Sequence, residues 1–400
     1  MAEASERINT AISTAELERR WSAVRAAMAG HGIEVLLMQA NNDFMGGYVK
    51  YFTDIPATNG YPQTVVFPRD DRMSLVGQGP FGVVRDLPTE GDGVRRGTAR
   101  FMATPSYASA HYTAGYDAAL AEKALERFAG GTVGLLGTAA MSFALVDHLK
   151  RGKLSKAKFV DVSDMVDRIK SVKSEEELTL IRRTAAMQDA AMEAVFNAIR
   201  PGMRDLEVAA IAEQVGHDLG SEQGLFLCSS APLGVSATFG NRHLQNRVIQ
   251  PGDQYTLLVE NNGAGGFYTE LGRTCVLGKA SQEMKDEFTF VLEAQKFVID
   301  LLRPGASSKD IFEAYNAFMR DNGRPEEKRL HCHGQGYDMV ERPLIRFDET
   351  MPIQQNMNIV VHPAYVTART FSWVCDNFLV GEKGIGEKLH KFPQKIFELG

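Results

Sequence analysis

Cysteine is scarce in this 400-residue chain: Cys228, Cys275, Cys332 and Cys375 are all there is, and none stands in a CxxC pair. That spacing excludes a disulfide-stapled scaffold and a ribbon-type zinc site, and it leaves the thiols as reduced groups, buried or at a site. No run approaches the roughly 18 apolar residues that a membrane-spanning helix needs. No stretch of Lys or Arg is long enough for a nucleic-acid patch, and a net charge of −6 with both signs mixed along the chain argues against phosphate-backbone binding. The opening residues, MAEASERINTA, are polar and show no apolar leader segment. The expectation is a cytoplasmic protein with neither membrane nor nucleic acid as a partner.

What is present fits a globular chain. Hydrophobic residues make up 44% and charged residues 24%, enough to build a sizeable core. The length exceeds one ordinary core, so two domains are expected. Ser13 and Glu16 form a capping-box pattern ahead of Leu17, Trp21, Val24 and Met28 at helical spacing, and Gly30 and Gly32 end that helix. Strand-like runs follow at 33–38, 63–67, 73–76 and 132–136, with helices near 117–128 and 141–149. This alternation predicts an α/β domain over residues 1–160.

A polar connection near 160–173 then leads into a long amphipathic helix, capped by Ser174 and Glu177 and buried through Leu178, Ile181, Ala185 and Met192. Residues 161–400 read as a second, α+β domain. Inside it AIRPGMRDLEVAAIAEQV (198–215) is echoed by LLRPGASSKDIFEAYNAFM (301–319), each running from a helix end through Arg-Pro-Gly into a new helix. Such an echo suggests two related halves, although Pro-Gly is also common turn chemistry before helices. Strands are expected at 225–229, 255–260, 267–276, 359–365 and 378–380.

Five segments of that second domain hold the residues with chemistry. They are GNRHLQNRVIQPGD with Arg242 and His243, VENNGAGGFYTELGRT with Glu260 and Glu270, HCHGQGYDMVERP with His331, His333, Glu341 and Arg342, VVHPAY with His362, and FSWVCDNFLV with Cys375 and Asp376. Singly, each has a plain reading as a solvated strand residue, a turn histidine or a small buried thiol. Together and in order, they resemble the creatinase, prolidase and methionine aminopeptidase group, and the resemblance runs through the whole chain. It implies a "pita-bread" catalytic domain behind a creatinase-type N-terminal domain.

In the peptidases of that group two metal ions are held by two Asp, one His and two Glu. Carried over by motif, the first Asp falls near Leu258 to Glu260, the second on Glu270, the His on His333, the first Glu on His362 and the second on Cys375. A further peptidase His falls on Val340, beside Glu341. Only His333 keeps its type. Two close divalent ions need bridging carboxylates to offset their repulsion, and an imidazole and a thiol do not bridge as two Glu do. The resemblance therefore points towards creatinase, a metal-free member, with no cofactor required. Glu270, His333, His362 and Cys375 or Asp376 still leave room for a single divalent ion of the zinc or iron type.

The expected enzyme is a hydrolase cleaving a C–N bond of a small polar metabolite, such as a guanidino, ureido or cyclic amide compound. His243 is first choice for acid and base, since an imidazole titrates in the working range. His333 and His362 would orient or relay, Glu270 and Glu260 would accept from a substrate nitrogen, and Arg242 and Arg342 would clamp a carboxylate beside Glu341. Cys375 becomes a nucleophile only if a neighbouring His lowers its pKa. In the resembled group a second subunit often completes the pocket, so a homodimer is expected, and Phe44, Tyr48 and Tyr51 either enclose the ligand or pack their own domain. The alternatives are a lyase releasing an unsaturated acid, an Xaa-Pro metallopeptidase with an altered metal site, and an inactive binding scaffold.

Overall fold

The protein is described from a computed structural model that covers residues 11–42, 47–56, 60–240 and 244–400. Among these, the chain divides into two compact units, Ala11–Lys170 and Ser171–Gly400. The first contains α1 (Thr14–Gly30), β1 (Val35–Ala40), α2 (Gly47–Thr53), β2 (Gln63–Pro68), β3 (Met73–Gln78), β4 (Val84–Asp86), β5 (Thr98–Thr104), α3 (Ala114–Leu125), β6 (Thr132–Leu136), α4 (Phe143–Arg151), β7 (Lys158–Asp161) and α5 (Ser163–Lys170). Its strands form one sheet in the order β4-β5-β3-β2-β1-β6-β7. β1 lies at the centre, antiparallel to β2 and parallel to β6. Its side chains are buried on both faces, as the unbroken VLLM run requires.

The first capping box is only half made. Ser13 accepts the Glu16 N–H at 3.0 Å, but the Glu16 carboxylate turns instead to Arg19 and the fully buried Arg20. An ion pair to a buried guanidinium outcompetes the backbone N–H as a partner for that carboxylate.

The second unit repeats one plan twice. Its first half runs α6 (Glu175–Ala198), α7 (Asp205–Asp218), β8 (Gly224–Pro232), β9 (Asp253–Asn262) and β10 (Tyr268–Leu277). Its second half runs α8 (Gln282–Leu301), α9 (Ser308–Asp321), β11 (Cys332–Gly334), β12 (Glu341–Leu344), β13 (Asn358–Val361), β14 (Ala364–Val366), β15 (Phe371–Trp373), β16 (Asp376–Val380), β17 (Ile385–Lys388) and β18 (Phe397–Leu399). Two larger sheets result, β18-β10-β9-β8 and β12-β11-β13-β16-β17, while β14 and β15 pair separately. Each is backed by its own pair of helices and its own apolar core: Met192, Val195, Val208, Tyr255 and Leu257 in the first, Val291, Val298, Ile311, Ile359 and Phe378 in the second. The architecture is an α/β domain followed by an α+β, two-halved domain. Among the described residues no helix is long and apolar enough to cross a membrane.

The halves meet where β10 runs beside β16. Gly272 N–H donates to the Cys375 carbonyl at 3.1 Å, and Glu270 N–H donates to Asn377 Oδ1 at 2.7 Å. Position 272 must be glycine, because a Cβ there would run into the Trp373 ring. Beside these contacts Arg273 and Asp376, both fully buried, form a two-pronged ion pair at 2.7 and 3.1 Å. This seam is where the side chains with chemistry gather.

Candidate metal centre

Glu260 and Glu270 stand directly opposite one another on β9 and β10, at the same register position of the antiparallel ladder. The turn between the strands passes through Gly265 and Gly266, both at positive φ (67° and 82°), a conformation that glycine adopts without a Cβ penalty. The register places Glu260, rather than Leu258 or Val259, across from Glu270.

From the second half, β11 supplies His333 and the end of β13 supplies His362. The strand expected to run unbroken over 359–365 stops at Val361, and the His362-Pro363 step separates β13 from β14. Proline offers no N–H to a ladder, so the pairing ends there, with the His362 N–H donating to the His331 carbonyl at 2.9 Å as its last rung. One ligand atom from each of Glu270, His333 and His362 lies within 4.8 Å of the others. Glu270 and His333 are buried, while His362 is half-buried and forms the accessible side.

The protonation of His333 follows from its neighbours. Its Nδ1 lies 2.8 Å from the Gly334 carbonyl, which can only accept, so Nδ1 carries the proton and Nε2 presents a lone pair. That Nε2 lies 3.7 Å from Glu270 Oε2. Two acceptors facing each other in a buried site require a proton or a cation between them. Two imidazoles and one carboxylate form a donor set suited to zinc, iron or a similar divalent ion. The residues present thus fit one ion.

The two carboxyls differ in ionisation. Burial works against the charge on Glu270, but the neighbouring His333 and His362 imidazoles and the Cys375 thiol outweigh it and hold its pKa below the usual carboxylate range. Burial and the charge of Glu270 together push Glu260 well above that range, and the amide of Gln335, donating to its Oε1 at 2.9 Å, offsets this only in part. Desolvation pushes the pKa of His362 down, against the pull of Glu270.

Behind the carboxyls lies a buried amide network. Gln335 Oε1 accepts from Asn377 Nδ2 at 2.9 Å, Asn377 Nδ2 also donates to Asn358 Oδ1 at 3.0 Å, and Asn377 Oδ1 takes the Glu270 N–H. Asn377 N–H donates to His390 Nδ1 at 3.3 Å, and His390 Nε2–H donates to Gln188 Oε1 on α6 at 2.9 Å. Sequence reasoning did not single out Gln335, Asn377 or Arg273, although each lies inside a quoted motif. Gln188 lies on the long amphipathic helix and was not singled out there, and His390 lies outside every quoted segment.

Several expected site residues have other partners. Asp376, expected as a ligand, is held by Arg273 and by Gln394 Nε2 at 2.7 Å, so its oxygens are occupied away from the centre. Cys375 is fully buried, and its Sγ donates to the Glu270 carbonyl at 3.5 Å. Burial, with the charges of Glu270 and Asp376, pushes its thiol well above the ordinary value, the opposite of what a nucleophile needs. Glu341, expected to hold substrate, pairs with the buried Lys173 at 3.1 Å and accepts the N–H groups of Tyr337 and Asp338, which pins the loop carrying Gln335. Arg342, expected as a clamp, already grips Glu349 at 2.6 and 3.1 Å. Tyr48 donates its hydroxyl to Asp167 at 2.6 Å and lies under Lys170, within its own unit. His243, Arg242 and Phe44 lie outside the described residues.

Residues 179–386 match the model of metallopeptidase family M24. The chain belongs to that family. Over 278 residues it is 27% identical to an Xaa-Pro dipeptidase of Pyrococcus furiosus, covering 66% of this chain and 75% of the relative. Among solved structures, an X-Pro aminopeptidase from Thermotoga maritima superimposes with a TM-score of 0.76 at 20% identity, over 95% of this chain and 99% of the other. A dipeptidase PepE from Mycobacterium ulcerans gives a TM-score of 0.75 at 20% identity over 97% and 99%. These likenesses confirm the N-terminal domain and pita-bread architecture.

Two expectations are overturned. A small-metabolite C–N hydrolase gives way to a member of a peptidase family, whose relatives are named for cleaving peptides. The expectation of no cofactor gives way as well, because the family is one of metallopeptidases and Glu270, His333 and His362 converge as a ligand set. The loss of acids at positions 362 and 375 suggested a metal-free site because motif carry-over scores identity, whereas an imidazole in place of a carboxylate remains a metal ligand.

Proposed function

We propose that this chain is a metal-dependent peptidase acting on short peptides of the Xaa-Pro type, with the ion held by Glu270, His333 and His362. The observation that carries this reading is the convergence of those three ligand atoms within 4.8 Å, with a carboxylate and an unprotonated imidazole nitrogen facing each other. Membership of the metallopeptidase family and the Xaa-Pro dipeptidase relatives support it.

A bound divalent ion supplies Lewis-acid polarisation of the scissile carbonyl and a water of lowered pKa. The chain's own residues supply the rest. Glu270 holds its negative charge in the buried seam, and His333, fixed by the Gly334 carbonyl, keeps its Nε2 aimed inward. Glu260, whose proton burial and the Glu270 charge hold more tightly than an ordinary carboxyl's and whose Oε1 is steadied by Gln335, is a proton donor for the departing amine nitrogen. Pairing of two copies belongs to this proposal, supported by the exposed aromatic side chains Phe81, Tyr112 and Phe143 on the first unit.

The test is hydrolysis of alanyl-proline and alanyl-alanine by protein stripped with a chelator and then reconstituted with zinc, manganese or iron. Turnover of the prolyl peptide only after reconstitution is the expected result. Turnover that persists in metal-free protein, or no cleavage of either peptide under any metal, sinks the reading.

A further inference from the structure

The first unit carries a cavity of its own, of about 540 Å³, between the β4-β5-β3 edge of its sheet and the C-terminal end of α3. A space of that size suits a small organic molecule. Pro68, Ala99, Met102 and Ala124 form the apolar part of its wall. Its charged part consists of four cations, Arg72, Arg100, Lys123 and Arg127, and three acids, Asp71, Asp86 and Glu126.

The acids are already committed. Asp86 pairs with Arg100 across β4 and β5 at 2.6 Å, Asp71 pairs with Arg127 at 3.0 Å, and Glu126 turns to Lys153, which stands outside the cavity, at 2.9 Å. Two cations are left without a carboxylate. Arg72 is half-buried, and its Nη1 donates to the carbonyls of Leu87, Pro88 and Thr98 at 3.2, 2.6 and 3.3 Å. Those bonds fix the guanidinium but leave its charge unneutralised, with Nε and Nη2 open among the described residues. Lys123 has neither a hydrogen bond nor an ion pair among the described residues. The excess of positive charge is local, since the whole chain is net −6.

We infer that this cavity binds a small organic phosphate, with the phosphate group held by Arg72 and Lys123 and the organic part against Met102 and Ala124. A phosphate monoester brings close to two negative charges and three strong acceptor oxygens, which matches two unpaired cations. A guanidinium held in advance by three carbonyls loses little freedom on meeting that group. Arg100 and Arg127 border the site and keep Asp86 and Asp71 paired, so that neither acid opposes the ligand with a bare charge. The site lies within the first unit and does not depend on the peptidase reading.

Calorimetry on the full chain with phenyl phosphate, inorganic phosphate and benzoate tests the inference. Phenyl phosphate is expected to saturate one site per chain with a Kd of about 1 mM or tighter. Inorganic phosphate should bind roughly tenfold more weakly for want of the apolar contact, and benzoate roughly tenfold more weakly for want of the second charge. Lys123→Gln should weaken phenyl phosphate by roughly ten- to a hundredfold. The exposed Lys123 has no partner to lose, so its variant reads binding and not folding. Arg72→Gln should cost at least as much, read beside its melting temperature because the residue also ties three carbonyls. Arg85→Gln removes an exposed cation of β4 outside the cavity and should change nothing. No saturation by about 10 mM phenyl phosphate overturns the site. Affinity that survives Lys123→Gln overturns it too, as does an equal loss in Arg85→Gln, which would show attraction to surface charge alone. Benzoate binding as tightly as phenyl phosphate overturns the choice of a phosphate.

Discussion

The half built on β8, β9 and β10 brings two carboxyls to the seam, and the half built on β11, β13 and β16 brings two imidazoles. Both halves follow the same order of paired helices and antiparallel strands, yet one supplies charge and the other neutral donors. The lesson is that the repeated plan sets positions, while the surroundings of each position set its chemistry. Glu260 and Glu270 show this most directly. They share a register and both are buried, but Glu270 faces His333 and His362 and ionises more readily than an ordinary carboxyl, whereas Glu260 faces an amide and the charge of Glu270 and ionises less readily.

The largest expected effect comes from removing one ligand from either half. Glu270→Gln and His333→Ala should each lower peptide turnover by about a thousandfold, the worth of several kcal/mol of charge stabilisation. Each should also lose bound metal by elemental analysis. Full metal occupancy in either variant would show that the halves do not share one ion.

Next in size is the joint between the halves. Arg273→Ala leaves the fully buried Asp376 without its guanidinium, and an uncompensated buried carboxylate costs about 3–5 kcal/mol. Urea denaturation should show a loss of that order. The double replacement Arg273→Met with Asp376→Leu should recover part of it, since both charges then leave together. A loss below about 1 kcal/mol in Arg273→Ala would mean that water reaches the pair.

Much of this plan is legible in the chain itself. The period of the apolar residues and the capping boxes mark α1 and α6, the β6 strand runs where expected, and the Arg-Pro-Gly echo announces two halves, because these signals are local. Glu270, His333 and His362 are legible as candidates, being polar residues inside strand-like motifs. What stays hidden is pairing. Nothing in DNFLV says that Asp376 faces Arg273 and not the centre, that Asn377 supports Glu270, or that the Cys375 thiol is sealed off, since each depends on a partner about a hundred residues away. Short strands such as β11 and β15, three residues each, carry too few alternations to show a period.

A smaller effect should follow from cutting the amide that steadies the Glu260 carboxyl. Gln335→Ala removes the donor to Glu260 Oε1 and the acceptor of Asn377 without touching a ligand. Supporting groups of this kind are worth about ten- to a hundredfold in metal affinity. Competition with a chromogenic chelator measures it. An unchanged affinity would mean that Glu270 is positioned by the ladder alone.

The smallest effect lies furthest back, where His390 ties the second half to Gln188 on α6. Burial drives the pKa of His390 down to about 3, against the pull of Asp376. Between about pH 3 and its ordinary value of 6.5 the unfolded chain binds a proton there that the folded chain refuses. Stability from this group is therefore complete above pH 6.5 and declines as the pH falls through that window, by about 1 kcal/mol per pH unit. Unfolding midpoints measured from pH 4.5 to 6.5 should fall with acid in the unaltered protein, and His390→Asn, which cannot take up the proton, should flatten that slope. Parallel slopes would place the acid sensitivity elsewhere and leave the link between α6 and the second half without an electrostatic role.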